Sequence, residues 1–159
     1  TSHSFLLCKE VEKNLIEKGN IINLIDARKI PMNPTHKKIT NEMQQLAEHV
    51  KKADNIIIGM GVHCYSVNDA LKILLDSCFW DAKNKFFGIL CAGGGERSYL
   101  STMHLTQICM NEWRMMQLPR VVYATKNDFT NNMITSLDVL ERIKLFSEEF
   151  HTIGNKLLS

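Results

Sequence analysis

Short runs of hydrophobic residues alternate along this chain with longer segments whose hydrophobic positions recur at a helical spacing. Four short runs are rich in β-branched and aromatic residues and predict strands over residues 21–27, 55–62, 86–92 and 120–125. The two middle runs are apolar on both faces, which is typical of strands that helices cover on both sides of a parallel sheet. The runs therefore indicate a buried central sheet.

The segments between these runs predict amphipathic helices. Residues 40–52 carry a single hydrophobic stripe at positions i, i+3, i+4 and i+7, formed by Met43, Leu46, Ala47 and Val50. In residues 66–80, Asp69 follows Ser66 by three positions, close to a capping box, which predicts that a helix begins at Ser66. Two more helices are predicted over about residues 98–118 and from about Ser136 to the end of the chain.

A further helix is predicted at the start of the chain, with Ser2 or Ser4 as its N-cap and Gly19 as its stop signal. The resulting order, αβαβαβαβα, predicts an α/β fold: a doubly wound parallel sheet in three α/β/α layers, forming one domain over residues 1–159. In such a fold a strand usually precedes the first helix and lies in the middle of the sheet. We therefore expect that a first strand, before Thr1, is missing from this sequence.

Composition and charge narrow the function. The chain has 159 residues, of which 45% are hydrophobic and 23% charged, as in an ordinary globular domain. The net charge of +2 is spread over interspersed Lys, Arg, Asp and Glu residues, which argues against nucleic-acid or membrane partners. The five cysteines include no CxxC pair. This usage favours a reducing, cytoplasmic compartment over a disulfide framework or a zinc site.

Three stretches are expected to meet beyond the carboxyl ends of the strands, where open α/β sheets bind their ligands. They are TSHS at residues 1–4, GMGVHCYS at residues 59–66 and AGGGERS at residues 92–98. TSHS places hydroxyls at a helix N-terminus, which favours an anion such as phosphate, although simple helix capping would give the same pattern. Neither a P-loop nor a G-x-G-x-x-G motif occurs, which disfavours nucleoside triphosphate and Rossmann dinucleotide sites.

Both glycine-containing loops have more than one interpretation. The 59–66 loop can offer backbone groups to a planar heterocycle while Tyr65 or His63 packs on its face. In the alternatives, His63 is simply solvated, or it activates Cys64 as a nucleophile. The triple glycine at residues 93–95 is either a tight strand-to-helix turn or a ligand loop whose N–H groups face a flat or anionic molecule.

Three motifs connect these loops to a known family. DARKIP, at residues 26–31, matches the pattern D-x-R-x-L-P, and AGGG matches a glycine loop of the S-x-G-G type. GVHCYSVNDALK, at residues 61–72, retains Ser66, Leu71 and Lys72 of the pattern P-E-Y-N-G-S-x-P-x-x-L-K. On these motifs the chain resembles the NADPH-dependent FMN reductase family, flavodoxin-like proteins that reduce flavins, quinones, azo dyes or metal oxyanions. The family's first motif, a Gly-Ser loop leading into S-x-N, is present only as TSHS.

The resemblance implies FMN as cofactor, NAD(P)H as co-substrate and a small-molecule electron acceptor. The residues that it implies for FMN are Ser2 and Ser4 at the phosphate, Gly61, Val62, His63, Cys64, Tyr65 and Ser66 along the ring and ribityl chain, and Ala92, Gly93, Gly94 and Gly95 beneath the pyrimidine side. Side chains in the glycine loop would collide with the flavin. Arg97 is implied to reach a pyridine-nucleotide phosphate.

The resemblance also implies a homodimer or homotetramer. The apolar fourth helix fits a subunit contact, although a fully internal helix would show the same pattern. In the first loop, residues 61–65 read Gly-Val-His-Cys-Tyr where the family has Pro-Glu-Tyr-Asn-Gly, so backbone contacts carry over more readily than side-chain contacts. Two alternatives to a reductase therefore stay open: an electron carrier, which the charge of +2 disfavours, and a flavin-free binding protein. No catalytic side chain and no metal ligand is assigned, because in flavin chemistry the cofactor performs the difficult step.

Overall fold

A computed structural model describes residues 2–159, and Thr1 of the TSHS stretch lies outside the described residues. Within these described residues there are seven strands: β1 Asn55–His63, β2 Ser66–Val67, β3 Phe86–Gly93, β4 Met116–Gln117, β5 Val122–Thr125, β6 Phe129–Thr130 and β7 Met133–Ile134. Five α-helices accompany them: α1 His3–Glu17, α2 Asn41–Lys52, α3 Asp69–Cys78, α4 Thr102–Trp113 and α5 Leu137–Leu158. Short 3-10 helices occur at Ala27–Lys29, Glu96–Ser101 and Lys126–Asp128.

The sheet is built around β3, which is buried along nearly its whole length. On one side β3 runs parallel to β1, in a register that joins Phe86 to Asn55 and Ala92 to Gly61. On the other side it pairs in parallel with β4 near its start and with β5 near its end. The short β2 adds an antiparallel pair to the end of β1. The mostly parallel sheet predicted from the doubly apolar runs is confirmed.

Helices cover both faces of this sheet. On one face α2, α3 and α4 bury their apolar residues against β1 and β3. On the other face α1 and α5 pack against β3 and β5. Met43, Leu46 and Val50 of the predicted α2 stripe are buried, and full burial of such side chains contributes about 1.5–3 kcal/mol each. The predicted three-layer α/β/α architecture is therefore confirmed.

The prediction of a strand over residues 21–27 is wrong. Residues 21–26 form no strand, and the segment ends in the 3-10 helix Ala27–Lys29. Its side chains diverge, since Ile22 packs on the α1–α5 side, Ile25 packs on the α2–α4 side and Ile21 is fully exposed. A β-rich composition produces a strand only where a second strand completes the ladder of hydrogen bonds, and the described residues place none beside this segment.

The helix boundaries show which of the capping and stop signals in the sequence predicted a helix end correctly. Thr40 and Ser136 cap α2 and α5 by accepting hydrogen bonds from backbone N–H groups, and Gly19, with φ +82°, follows the end of α1 as predicted. The helix predicted from Ser66 begins instead at Asp69, because Ser66 is paired with His63 in a hairpin. The helix predicted over residues 98–118 is shorter. It follows a 3-10 helix and comprises only Thr102–Trp113.

No helix within residues 2–159 combines the length and the apolar character needed to cross a membrane.

Candidate functional site

A groove of about 610 Å³ lies at the carboxyl edge of the sheet, where the ends of β1, β3 and β5 meet. Three segments line it: Val62, Cys64 and Tyr65 after β1; Gly94, Gly95, Glu96, Arg97 and Ser98 after β3; and Thr125 and Asn127 after β5. The sequence motifs predicted the first two segments but not the third. Thr125 ends the strand predicted over residues 120–125 and Asn127 follows it, so the rule that ligands bind beyond strand ends was a usable signal for both.

The first wall of the groove is a two-residue hairpin turn. Val62 pairs with Val67 and His63 with Ser66, which leaves Cys64 and Tyr65 at the tip with φ angles of +47° and +60°. Two left-handed residues in this position define a type I′ turn, for which Asn-Gly is the favoured pair. Cys64 and Tyr65 are both exposed, and both line the groove. The turn therefore holds an aromatic ring at the groove at a cost in backbone strain.

The second wall is the triple-glycine loop, in which Gly93 serves a different purpose from Gly94 and Gly95. A Cβ added to Gly94 or Gly95 would meet no protein atom within 4 Å, so the bare main chain faces open space. A Cβ added to Gly93 would lie only 2.9 Å from Cζ of Tyr123 and still closer to its hydroxyl oxygen. The glycine at position 93 therefore makes room for the protein's own tyrosine, before any ligand is considered.

Tyr123 lies behind this loop, on β5, and does not line the groove. Its hydroxyl donates a 2.6 Å hydrogen bond to the Gly95 carbonyl, and its ring contacts Tyr99 edge-on with a centroid distance of 5.4 Å. Burial raises the pKa of the Tyr123 phenol, and hydrogen bonding with Ser98 opposes that rise. The phenol therefore remains a neutral donor at physiological pH. Tyr123 was not predicted from the sequence, because a tyrosine in a β-rich run looks like an ordinary strand residue.

The start of α1 lies against the same end of β1. A Cβ on Gly59 would overlap Sγ of Cys8 and lie 3.5 Å from the Ser4 carbonyl oxygen, so this glycine allows the first turn of the helix to approach the strand. Ser2 occupies the N-cap position without making a side-chain capping bond, and its Oγ lies 3.0 Å from that of Ser4. His3 stacks on Phe129 at 4.0 Å. Ser2 and Ser4 lie outside the residues that line the groove.

Five other residues predicted for the site also lie outside the groove lining: Gly61, His63, Ser66, Ala92 and Gly93. The Ser66 hydroxyl is 3.0 Å from Nδ1 of His104 and faces a second groove, of about 670 Å³, between α3 and α4. With the Asn68 amide oriented to satisfy both of its partners, its nitrogen donates to the Gly61 carbonyl at 3.2 Å and its oxygen accepts from the Leu71 N–H. Ala92 packs partly against the core beside α1 and α5.

The arrangement does not favour His63 as the base for a Cys64 nucleophile. His63 Nδ1 lies 3.8 Å from the Asp69 carboxylate, and no hydrogen bond joins the His63 ring to the Cys64 thiol within residues 2–159. Cys64 is nevertheless the one exposed thiol among the five cysteines. Burial raises the pKa of Cys8, Cys91 and Cys109 to about 12 and that of Cys78 to about 11.

Sequence comparisons with known proteins find relatives of this chain. The sequence profile of a family described as NADPH-dependent FMN reductase matches residues 1–130. The NADH-dependent FMN reductase SfnF of Pseudomonas fluorescens (strain Pf0-1) is 30% identical over 139 residues, which cover 87% of this chain and 72% of that protein. The FMN reductase (NADPH) of Pseudomonas aeruginosa is 28% identical over 145 residues, which cover 89% of this chain and 77% of that protein.

Among solved structures, the apo form of the NADH:FMN oxidoreductase EMOB superposes with a TM-score of 0.79 at 12% identity. The superposition covers 96% of this chain and 82% of the other. At that identity the likeness is one of fold, and it extends over nearly the whole of both layers of helices and the sheet between them.

Proposed function

The chain belongs to the NADPH-dependent FMN reductase family, with a flavodoxin-like fold, and from this premise we propose that it binds FMN in the groove between the Cys64–Tyr65 turn and the Gly94–Gly95 loop. The protein is an NAD(P)H-dependent flavin oxidoreductase of that family. The observation that supports the location is the bare main chain of the groove. Gly94 and Gly95 line the groove, and a Cβ added to either of them would meet no protein atom within 4 Å.

The shape and chemistry of the groove fit a flavin. Its volume of about 610 Å³ lies within the range of roughly 300–1,000 Å³ that is typical of small-molecule sites. Unobstructed backbone at Gly94 and Gly95 lets a flat ring approach closely, and backbone N–H and C=O groups match the donors and acceptors on the rim of a flavin. Tyr65 also lines the groove, and we assign its exposed ring to stacking on that flat surface.

The FMN phosphate is assigned to the beginning of α1. Ser2 and Ser4 bring two hydroxyls within 3.0 Å of each other there, and the Ser2 hydroxyl is not used to cap the helix. Both hydroxyls, together with the positive end of the helix dipole, attract an anion. The missing side chain of Gly59 allows this end of the helix to lie close to β1.

The chain's own residues bind and orient the reactants, while FMN, when bound, supplies the hydride acceptor and the path of electrons to a second substrate. Arg97 is exposed at the rim of the groove and is assigned to the phosphate of the pyridine nucleotide. Tyr65 limits the open face of the groove. The final acceptor is a small oxidant that enters the same face after the nicotinamide leaves: a flavin, quinone, azo compound or metal oxyanion.

We further infer a homodimer or homotetramer, with one domain in each subunit. Leu100, Met103 and Met110, on or next to α4, are between 46% and 71% exposed, and large apolar side chains grouped on one surface are typical of protein contacts. Light scattering of the purified protein measures this directly. Five free thiols favour a reducing, cytoplasmic location.

The function is tested by titrating the purified protein with FMN and then supplying NADPH or NADH. We expect quenching of flavin fluorescence on binding and acceptor-dependent oxidation of the nicotinamide. Tyr65→Ala should weaken FMN binding, by roughly 2- to 10-fold for the loss of one aromatic contact. The matched control is Trp80→Ala, since Tyr65 and Trp80 are 61% and 62% exposed but only Tyr65 lines the groove.

The possible outcomes separate the candidate functions. Protein that binds FMN but does not oxidise either nicotinamide would indicate an electron carrier. Protein that fails to bind FMN at all would overturn the proposal in favour of a flavin-free binding protein. An equal loss of FMN affinity in the Tyr65 and Trp80 variants would move the flavin out of this groove.

A further inference from the structure

We propose that Tyr123 is a positioning residue for the flavin: through its hydroxyl it fixes the Gly95–Glu96 peptide so that the N–H side of that peptide, and not its carbonyl, is presented to the groove. This inference deepens the proposed function and rests on it for the identity of the ligand. The assignment begins with the position of Tyr123 on β5, behind the glycine loop and outside the groove lining.

The hydrogen bonds of the Gly95 carbonyl determine the orientation of the peptide. Its oxygen accepts 2.6 Å and 3.4 Å hydrogen bonds, from the Tyr123 hydroxyl and from the Ser98 backbone N–H respectively. In a planar trans peptide the carbonyl and the following N–H point in opposite directions. Because Tyr123 holds the carbonyl from behind the loop, the Glu96 N–H points to the opposite side, where Gly94, Gly95 and Glu96 line the groove.

This orientation affects the ligand because the glycines cannot maintain it alone. Glycine has the largest backbone freedom of any residue, and Gly94 and Gly95 have no neighbour that would confine a side chain at either position. Within the loop, the Gly95 carbonyl is restrained by the long 3.4 Å hydrogen bond from the Ser98 N–H, and the Tyr123 hydroxyl adds the shorter bond of 2.6 Å. An N–H dipole directed at the ring stabilises negative charge on a reduced flavin, whereas a carbonyl in the same place would oppose it.

The test compares Tyr123→Phe, which removes only the hydroxyl, with Tyr99→Phe as the matched control. Tyr99 packs against Tyr123, and its own hydroxyl has no hydrogen-bond partner within residues 2–159. In Tyr123→Phe we expect FMN affinity to fall about 2- to 10-fold, the equivalent of one hydrogen bond. The midpoint potential of bound FMN should become more negative. Tyr99→Phe should leave both properties unchanged.

An independent measurement uses the protein without flavin. Hydrogen exchange of the amides in residues 94–98 should accelerate in Tyr123→Phe and not in Tyr99→Phe, because the restraint on the loop is lost. Gly93→Ala provides a second route to the same loss, since the added Cβ would occupy the space of the Tyr123 hydroxyl. It should produce the same local increase in exchange.

The two proposals fail in different ways. If the unmodified protein does not bind FMN, the proposed function fails, while the exchange measurement still reports whether Tyr123 restrains the loop. If the unmodified protein binds FMN and Tyr123→Phe shows the same affinity and midpoint potential, the positioning role of Tyr123 is overturned and the flavin site stands. Unchanged exchange in residues 94–98 of Tyr123→Phe would overturn it as well.

Discussion

The backbone of Gly93 and the phenol of Tyr123 are packed so closely that no carbon atom fits between them. Gly93 ends β3, where it pairs with Thr125 of β5, and Tyr123 precedes Thr125 on the same strand by two residues. An added Cβ on Gly93 would lie 2.9 Å from the Tyr123 ring carbon Cζ, well inside van der Waals contact. Of the three consecutive glycines, this one is needed by the protein's own packing.

Substitutions in the glycine loop should therefore separate stability from ligand binding. We expect Gly93→Ala to lower the free energy of unfolding by about 1–3 kcal/mol, as overpacking of a buried site does. Gly94→Ala has open space for its methyl group and should keep its stability but bind FMN more weakly, because that space is assigned to the ring. Urea denaturation and FMN titration measure the two effects. Equal stability of Gly93→Ala and the unmodified protein would contradict the packing argument.

Substitution of Cys64 and Tyr65 in the hairpin turn should stabilise the protein and weaken its binding of FMN. Both residues adopt left-handed backbone angles, which cost L-residues about 1–2 kcal/mol each. The double substitution Cys64→Asn and Tyr65→Gly provides the preferred type I′ pair and should raise the free energy of unfolding by about 1–2 kcal/mol. FMN affinity should fall, because the Tyr65 ring is lost from the groove.

A second hairpin turn in the chain serves as a control for the Cys64–Tyr65 turn. Asn131 and Asn132 join β6 to β7 with φ angles of +50° and +59°, the same left-handed conformation, and asparagine tolerates it better than cysteine or tyrosine. Asn132→Gly should therefore gain less stability than the double substitution at residues 64 and 65. If both hairpins gained equally, strain would not distinguish the Cys64–Tyr65 turn from an ordinary one.

The sequence predicted the sheet and the location of the groove more successfully than the groove's details. The doubly apolar run at residues 86–92 identified β3, because burial on both faces leaves no polar alternation, and the loops after β1 and β3 were placed at one edge by the topology rule. Residues 21–27 misled the prediction because a strand depends on a partner that local composition does not reveal.

Two features of the site could not be predicted from local sequence patterns. Cys-Tyr is not a turn sequence, so the hairpin at residues 64–65 was hidden, and Ser66 was mistaken for the start of a helix. The role of Tyr123 depends on contacts with Gly93 and Gly95, about 30 residues away in sequence. Such pairings between distant segments are visible only once the fold is known.

The contact between α1 and β1 should depend on Gly59. A Cβ at this position would overlap Sγ of Cys8, so Gly59→Ala should displace the first turns of α1 and destabilise the fold by about 1–3 kcal/mol. Removing the sulfur in Cys8→Ala should relieve that overlap. The double variant should then be more stable than the sum of the single changes predicts, which a double-mutant cycle measures as a coupling energy. Strict additivity would show that the two residues do not compete for space.

Thiol reactivity should report directly on the groove. At pH 8 a thiol with a pKa of about 12, as for Cys8, Cys91 and Cys109, is ionised in only about one molecule in 10,000, and the thiolate is the reactive form. Cys64 is exposed and lines the groove. We therefore expect one rapidly reacting thiol in the folded protein and five after denaturation, with the rapid phase absent from Cys64→Ser.

Bound FMN should slow the reaction of Cys64, because the ligand and the reagent compete for the same space beside the turn. The four slow thiols provide the internal control, since flavin bound in the groove does not change their burial except through overall stability. Their reaction should accelerate about tenfold per pH unit as long as the pH stays below their raised pKa values. Saturating FMN that leaves the rate at Cys64 unchanged would place the flavin away from the Cys64–Tyr65 turn.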